Sequence, residues 1–370
     1  MSEAVAGGAG SEAAVDRATG CAASAASAAA AQPAGAPARG HPVSDAAPAS
    51  VVIGLLGPTA VGKTAIAAAL ARSLGVRVIS CDSMQVYRGF TVLTNQPSPE
   101  VMCRVEHALV GFVDPVRSFS AVEYGDCARP LIAADAEQKG AALIAGGTGL
   151  YLRAAVAPLA VAPGDPEVRT RLEARAAAEG GAALHAELAG LDPRAAETVD
   201  PRNTRRVVRA LEAVLVGGKE WSGRDDLWNP QYDRPTLVVG LTLERGALRA
   251  RIGSRSGRMV QEGAVDEVRR FREEHGREAT APGGPGIRSA IGYREIWRHL
   301  DGELTREEAS EQIAGATRRY ARRQLTWLRK LKDAVIIDVQ DRDPEQIADE
   351  ILDLALAKRT AEESRHHEAG

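Results

Sequence analysis

The run Gly57-Pro58-Thr59-Ala60-Val61-Gly62-Lys63-Thr64 matches the phosphate-binding pattern G-x-x-x-x-G-K-[ST] at every fixed position. An apolar run, Val51 to Leu56, precedes it, and a helix-favouring run, Ala65 to Leu74, follows it. In this strand–loop–helix context, backbone N–H groups and the start of the helix bind a di- or triphosphate. Lys63 is predicted to reach the terminal phosphates, and the Thr64 hydroxyl to ligate Mg²⁺. The loop alone does not reveal which bond breaks.

Beyond this loop, apolar β-prone runs alternate with helix-like segments along the chain. The runs are Val51–Leu56, Val76–Ser80, Ala108–Val113, Ala141–Ala145, Thr236–Leu243 and Ala334–Val339. This alternation predicts an α/β fold: a P-loop-type, mainly parallel sheet flanked by helices. Capping boxes at Ser120–Glu123 and Thr305–Glu308 predict helix starts, and Pro130 predicts a kink or an early break in the first of these helices.

The middle of the chain breaks the alternation. Asp-Pro pairs at Asp165, Asp192 and Asp200 predict three helix starts, and Gly217-Gly218 predicts a helix end. We therefore expect an all-helical insertion domain over 161–230 within a core of 50–160 and 231–340. A terminal helix and polar tail are expected over 341–370. Residues 1–49 contain almost no large apolar side chains, which predicts a disordered Ala/Gly/Pro-rich extension.

The net charge of −3 argues against a globally basic nucleic-acid-binding protein, but arginines cluster locally. The clusters lie at 202–209, 249–258 and 318–332. One such cluster is equally compatible with a solvated helix face, whereas three favour a polyanionic partner. The four cysteines form no C-x-x-C pair, so no zinc site is predicted. No apolar run reaches the length of a membrane span, and we expect a cytoplasmic protein with no membrane partner.

Candidate reactive residues follow the second predicted strand, and Thr148 supplies a hydroxyl after the fourth. Asp82 lies where the carboxyl end of a parallel strand faces a ligand crevice, and it suits a general base or a water-mediated Mg²⁺ ligand as well as it suits a turn cap. Gln85 has the donor and the acceptor needed to read a base edge. Arg251 and Arg255 are spaced to share one helix face, which suits a diphosphate clamp as well as it suits a plain exposed face.

The phosphate loop and five further blocks, spanning about residues 51–335, resemble the tRNA dimethylallyltransferase (tRNA isopentenyltransferase) family. The blocks are Asp82-Ser-Met-Gln-Val-Tyr87, Gly146-Gly-Thr148, Arg206-Val-Val-Arg-Ala-Leu-Glu212, Ala290-Ile-Gly-Tyr-Arg-Glu295 and Arg322-Arg-Gln-Leu-Thr-Trp-Leu-Arg329. They come in the family's order, which makes the resemblance far more specific than the loop alone.

This resemblance implies transfer of a dimethylallyl group from dimethylallyl diphosphate to N6 of the adenosine just 3′ of the anticodon, with release of diphosphate. The tRNAs implied are those that read codons beginning with U. Asp82 would accept the N6 proton, and Thr59 would lie near the bridging diphosphate oxygen. Arg255, with Arg251 as the less favoured choice, would contact the diphosphate. Thr64 would ligate Mg²⁺, the implied cofactor.

The resemblance also implies contacts with the tRNA anticodon stem-loop. They are assigned to Asp82, Ser83, Met84, Gln85, Thr148, Arg169, Arg205, Arg206, Arg209, Ser289, Tyr293 and Arg294. The chain departs from the family's pattern at Leu93–Pro97, which lacks the usual glycine and lysine, and at Ser289, where the family often has glutamine.

Other functions fit parts of the sequence. A P-loop small-molecule or nucleoside kinase would use the same loop on ATP, but it gives no reason for three arginine clusters and an insertion. A nucleotide-switched RNA-binding module would need a base-reading motif of the N-K-x-D type, which the chain lacks. A prenyltransferase acting on a free adenine nucleotide is a closer alternative. The helical insertion favours tRNA as the acceptor, and we expect the protein to act as a monomer.

Overall fold

A computed structural model describes residues 50–157, 159, 164–217 and 231–368. The predicted disordered extension, 1–49, and the expected helix end at Gly218 lie outside these residues. The chain divides into two compact units, which we call the core unit (up to residue 158 and from 232) and the insertion unit (159–231). These boundaries lie within two residues of those expected for the insertion domain.

The core unit is built on a six-stranded sheet in which every pairing is parallel. Its strands are β1 (Val51–Leu56), β2 (Val78–Cys81), β3 (His107–Ala108), β4 (Ala141–Gly146), β5 (Thr236–Thr242) and β6 (Val335–Asp338), in the order β3-β2-β4-β1-β5-β6. The parallel α/β fold expected from the sequence is confirmed. Strand β3 is shorter than predicted because Leu109 and Gly111 adopt positive φ angles of 61° and end the extended conformation.

Helices connect these strands and make up most of the described part of the insertion unit. In chain order the described helices are α1 (Lys63–Leu74), α2 (Pro99–Arg104), α3 (Ala121–Lys139), α4 (Gly149–Val156), α5 (Pro166–Glu179), α6 (Gly181–Leu191), α7 (Pro193–Thr198), α8 (Thr204–Gly217), α9 (Arg245–Gln261), α10 (Ala264–His275), α11 (Tyr293–Leu300), α12 (Arg306–Leu328) and α13 (Pro344–Glu368).

Both faces of the sheet are covered, which explains why its strands are continuous apolar runs. Along β1, Val52 and Leu56 pack into one buried cluster, while Ile53 and Leu55 pack into the other. The central strands β1, β4 and β5 are almost wholly buried and need no polar alternation, whereas the edge strand β6 is partly exposed. The residues of the candidate site follow the carboxyl ends of β1, β2 and β4.

Both predicted capping boxes are present, at the starts of α3 and α12. The break expected at Pro130 is wrong, because α3 continues for nine residues beyond it to Lys139. A proline removes one backbone donor, and the burial of Leu131 and Ile132 against the sheet holds this part of the helix in place.

In the insertion unit, Asp165 and Asp192 cap α5 and α7 as predicted. The third pair does not begin a helix: α8 starts at Thr204, and Asp200 instead accepts a hydrogen bond from the backbone of Arg202. Helix α6 follows Gly180 directly and was not predicted. The unit has its own small core of leucine, valine and alanine side chains.

Candidate active site

The phosphate loop connects β1 to α1 with a backbone that turns its amides inward. Ala60 and Gly62 have φ angles of 68° and 112°. When residues with positive φ alternate with residues of right-handed helical conformation, successive backbone N–H groups form a concave arrangement that binds anions. The sequence prediction of a strand, a loop and a helix is therefore realised in its geometry. We call this loop, together with Arg251 and Arg255, the loop side of the site.

The side chain of Lys63 folds back onto the phosphate loop. Its Nζ donates to the carbonyl oxygens of Gly57 at 2.9 Å and Pro58 at 2.8 Å. Burial lowers the pKa of Lys63 to about 8, and the negative charge of Asp82 acts in the opposite direction. An anion in the loop would favour the charged form further.

Two arginines of α9 contact the loop, as the four-residue spacing predicted they could. Arg255 donates to Thr59 Oγ1 at 2.7 Å, and Arg251 donates to the carbonyl oxygen of Val61 at 3.2 Å. Burial lowers the pKa of Arg255, while Asp82 opposes that shift. An arginine nonetheless remains charged at neutral pH, so the loop side is strongly cationic.

Opposite the loop, residues 82–85 and Thr148 form what we call the carboxylate side. Asp82 Oδ1 accepts a hydrogen bond from the backbone of Met84 at 2.9 Å, and the backbone of Ser83 donates to Thr148 Oγ1 at 3.1 Å. The turn-cap interpretation of Asp82 is thus correct for one of its oxygens. Among the described residues none donates a hydrogen bond to the other oxygen, Oδ2, which leaves the carboxylate able to act on a ligand.

Both the oxygen and the nitrogen of the Gln85 side-chain amide form hydrogen bonds within the protein. Its Oε1 accepts from Ser80 Oγ at 2.9 Å, and its Nε2 donates to the carbonyl oxygen of Asn95 at 2.6 Å. The segment that contains Asn95 is in turn held by Glu267, which accepts hydrogen bonds from the backbones of Val92 and Leu93, both at 2.8 Å. Gln85 is therefore oriented by neighbours, and reading a base would require it to share or exchange these bonds.

A single open cavity of about 660 Å³ joins the two sides. Thr59, Lys63, Thr64, Asp82 and Gln85 line it together with Arg251 and Arg255. A smaller cavity of about 190 Å³ continues past Asp82, Ser83 and Met84 to Ser289. A diphosphate in the loop and a planar base beside Asp82 would thus share one continuous space.

The residues predicted to touch tRNA from 289 to 294 differ in exposure. Ser289 and Arg294 are exposed. Tyr293 is fully buried, and its hydroxyl donates to the carbonyl oxygen of Thr280 at 2.7 Å. Its assignment as a tRNA contact is therefore corrected: a phenol satisfied inside the core cannot reach RNA, and Tyr293 instead packs beside Trp297.

The predicted arginines of the insertion unit also differ. Arg205 and Arg206 are exposed, and neither forms an ion pair within the described residues. Arg169 and Arg209 both donate to Glu212, whose side chain is completely buried. Burial alone would raise the pKa of Glu212, but these hydrogen bonds outweigh it and lower the pKa. Arg169 and Arg209 therefore have a structural task in addition to any contact with RNA.

Two residues of α12, Gln324 and Tyr320, belong to the site although sequence reasoning gave neither a role. Both line the large cavity. Burial and the charge of Asp82 raise the pKa of Tyr320 to about 12, so its hydroxyl stays protonated. In the sequence, the block that contains Gln324 contributed only to the family resemblance. Its contact with Thr59 of the loop could not be predicted, because the two residues are 265 positions apart.

The oxygen atoms of Thr64 and Asp82 line the same cavity and suit Mg²⁺ chemically. Within the described ranges, no cluster of three or more histidine, cysteine or acidic side chains is arranged to hold a metal. Mg²⁺ often uses one or two protein oxygens together with substrate phosphates, and this donor set fits that mode.

None of the helices that the structure describes is long and apolar enough to cross a membrane.

Comparison with known proteins agrees with this geometry. A family model described as IPP transferase matches residues 85–331, and one described as isopentenyl transferase matches residues 51–110. The chain belongs to the IPP transferase family. Its relatives include a tRNA dimethylallyltransferase of Geobacillus thermodenitrificans, 39% identical over 299 residues, which is 80% of this chain and 92% of the relative. Another, from Bordetella petrii, is 41% identical over 83% of this chain and the whole of the relative.

Solved structures of the same family share the fold. The tRNA isopentenylpyrophosphate transferase of Bacillus halodurans superposes with a TM-score of 0.63 at 36% identity, covering 86% of this chain and 99% of its own. A eukaryotic dimethylallyltransferase acting on tRNA reaches a TM-score of 0.65 at 23% identity, covering 79% of this chain and 75% of its own. At that identity the likeness concerns the fold. The relatives of this family favour prenyl transfer over the kinase alternative.

Proposed function

We propose that the protein transfers a dimethylallyl group from dimethylallyl diphosphate to N6 of the adenosine just 3′ of the anticodon, in tRNAs that read codons beginning with U. The observation that carries this proposal is the cavity of about 660 Å³ with a cationic loop on one side and Asp82 on the other. A departing diphosphate needs positive charge nearby, whereas an amine that loses a proton needs a negatively charged acceptor. This cavity holds positive and negative side chains together.

On the loop side, the chemistry is departure of diphosphate. The bond between the allylic carbon and the bridging oxygen breaks, and the diphosphate leaves with the electron pair. Lys63, the loop amides and Arg255 would stabilise the negative charge that develops on those oxygens. Thr59, whose hydroxyl is held by Arg255, would lie near the bridging oxygen. The loop thus stabilises a leaving group and does not need ATP.

On the carboxylate side, the chemistry is formation of a carbon–nitrogen bond. The N6 amine of adenosine attacks the allylic carbon, and its proton passes to the carboxylate of Asp82. A stacked base cannot enter the cavity, so the adenosine would be extruded at a cost of a few kcal/mol. Contacts with the RNA backbone and with Gln85 would offset that cost.

Mg²⁺ is proposed as the cofactor, with Thr64 as its protein ligand. When bound, it would neutralise charge on the diphosphate. The chain's own residues would then hold and orient the two substrates. The positive charge on the loop side suits a magnesium–diphosphate complex that keeps a net negative charge.

Binding of the anticodon stem-loop is proposed to use exposed arginines. Arg205 and Arg206 on α8 are exposed, as are Arg294 and several arginines near the end of α12. Such side chains bind phosphates without reading sequence. Because the substrate is tRNA, we propose that the protein works in the cytoplasm, and as a monomer.

The test is to incubate the protein with labelled dimethylallyl diphosphate, Mg²⁺ and unmodified tRNA, and then to analyse the nucleosides. We expect label on N6 of the adenosine just 3′ of the anticodon. A parallel reaction with ATP in place of the allyl donor tests the kinase alternative. Unlabelled tRNA, together with consumption of ATP, would overturn the proposal.

A further inference from the structure

Gln324 joins the two sides of the site through the two ends of one side chain. Its Oε1 accepts a hydrogen bond from the backbone N–H of Thr59 at 2.9 Å. Its Nε2 donates to the backbone carbonyl of Gly147, also at 2.9 Å. These partners lie 265 and 177 residues away along the chain. One carboxamide on α12 therefore connects the phosphate loop with the end of β4.

Each partner of Gln324 is linked to a group with a proposed role. Thr59 belongs to the loop, and its hydroxyl is held by Arg255. Gly147 precedes Thr148, whose hydroxyl accepts from the backbone of Ser83, the neighbour of Asp82. The amide thus completes a path of hydrogen bonds from the diphosphate-binding loop to the turn that carries the carboxylate.

The glycine at 147 is what allows the amide to approach. A Cβ added there would lie 2.2 Å from Gln324 Nε2, so the amide would have to move aside. The same Cβ would lie 3.8 Å from Asp82 Oδ2, so the carboxylate itself would tolerate it. The close approach at this position therefore serves Gln324.

We propose that Gln324 is a positioning residue that sets the separation between the leaving diphosphate and the amine acceptor, an inference that rests on the proposed function. Thr59 N–H needs an acceptor and Gly147 C=O needs a donor, and a carboxamide supplies both. A carboxylate would place its oxygen against the carbonyl oxygen of Gly147, and an apolar side chain would satisfy neither group. Misplacing reacting groups by about 1 Å lowers rates by about 10²-fold.

The proposal predicts a change in turnover without a matching change in binding. For Gln324→Glu and Gln324→Ala, we expect kcat to fall by about 10- to 100-fold, because the allylic carbon and N6 are no longer held in line. Affinity for tRNA, and for a non-reactive donor analogue, should stay near the wild-type values. Gln312→Ala is the matched control, since Gln312 is an exposed amide on the same helix. It should leave kcat unchanged.

A double-mutant cycle with Gly147→Ala separates positioning from loss of folding. Gly147→Ala pushes the amide aside and should lower kcat as Gln324→Ala does. If both act through one contact, the double variant should be no slower than the slower single variant. Melting temperatures close to that of the wild type would show that each variant is folded.

Three results would count against these proposals, and they can be told apart. Wild-type kcat in Gln324→Glu and Gln324→Ala, with label transferred normally, would overturn the role of Gln324 alone. A loss that disappears at saturating substrate would make Gln324 a binding residue and would also overturn it. A wild-type protein that transfers no label would overturn the proposed function, and this inference with it.

Discussion

The loop side and the carboxylate side of the site are built in opposite ways. The loop side is mostly one segment of eight residues, whose motif carries its own backbone conformation and its own lysine. The carboxylate side is assembled from the turn at 82–85 and Thr148, and the segment around Asn95 holds Gln85 in place. A contiguous side can be recognised from sequence, whereas an assembled side depends on contacts that only the folded chain provides.

The two sides also differ in the sign of their charge and in the number of charged side chains that each brings to the large cavity. Lys63, Arg251 and Arg255 concentrate positive charge on the loop side, whereas Asp82 is the acidic side chain of the large cavity. We therefore expect the chemistry of the acceptor to depend on one group, diphosphate binding on a few groups, and tRNA binding on many.

The largest expected effect is at Asp82. Asp82→Asn keeps an oxygen that can accept from Met84 but removes the proton acceptor, and transfer should fall by about 10³-fold. Asp82→Ala should be equally inactive, and both variants should bind the donor analogue normally. Product formation and analogue binding are measured on the same preparations. Near-normal turnover in Asp82→Asn would show that Asp82 is a turn cap and not the base.

On the loop side, removal of one cation should weaken use of the donor and spare tRNA binding. Arg255→Ala loses the contact with Thr59 and positive charge near the leaving group, so kcat/KM for the donor should fall by about 10²-fold. Arg249→Ala is the control, because Arg249 is an exposed residue of the same helix. Equal losses in the two variants would mean that general charge, rather than this contact, matters.

The lowered pKa of Lys63 predicts a dependence on pH. Below its pKa of about 8, Lys63 is charged; as the pH rises through that value it loses its proton and its attraction for diphosphate. Above pH 8, kcat/KM for the donor should fall about 10-fold per pH unit until another pathway dominates. Lys63→Arg should remove this fall, because arginine stays charged. A flat profile in the wild type would contradict the assignment.

The smallest effect is expected from a single tRNA contact. Arg206→Ala should reduce tRNA affinity a few-fold and lower the slope of log affinity against log salt by about 0.7 to 0.9. Arg175→Ala is the control, because Arg175 is already paired with Glu179 and Glu187 within the same unit. If both variants keep the wild-type slope, Arg206 is not at the RNA interface.

The sequence predicted those parts of the fold that short stretches determine. The phosphate loop, six strands and both capping boxes depend on residues within a few positions of one another. Local patterns failed at Pro130, where tertiary packing decided the outcome, and at Asp200, where a local contact with Arg202 replaced the predicted cap. Buried neighbours keep α3 helical past Pro130, and α8 begins three residues beyond Pro201.

The site shows the same division. Lys63, Arg251, Arg255 and Asp82 could be chosen from motifs and spacing, and all four line the large cavity. Gln324 could not be chosen, because no local signal marks contacts with Thr59 and Gly147. Tyr293 was chosen by resemblance, yet it belongs to the core.

A crystal structure with a non-reactive allyl diphosphate analogue and an unmodified anticodon stem-loop would test the central claim most directly. We predict the diphosphate within the amides of residues 57–64, and adenosine N6 within about 2.6–3.2 Å of the Asp82 carboxylate. The allylic carbon should lie between them. An adenosine that stays stacked in the RNA, or N6 on the far side of the cavity from Asp82, would contradict the account.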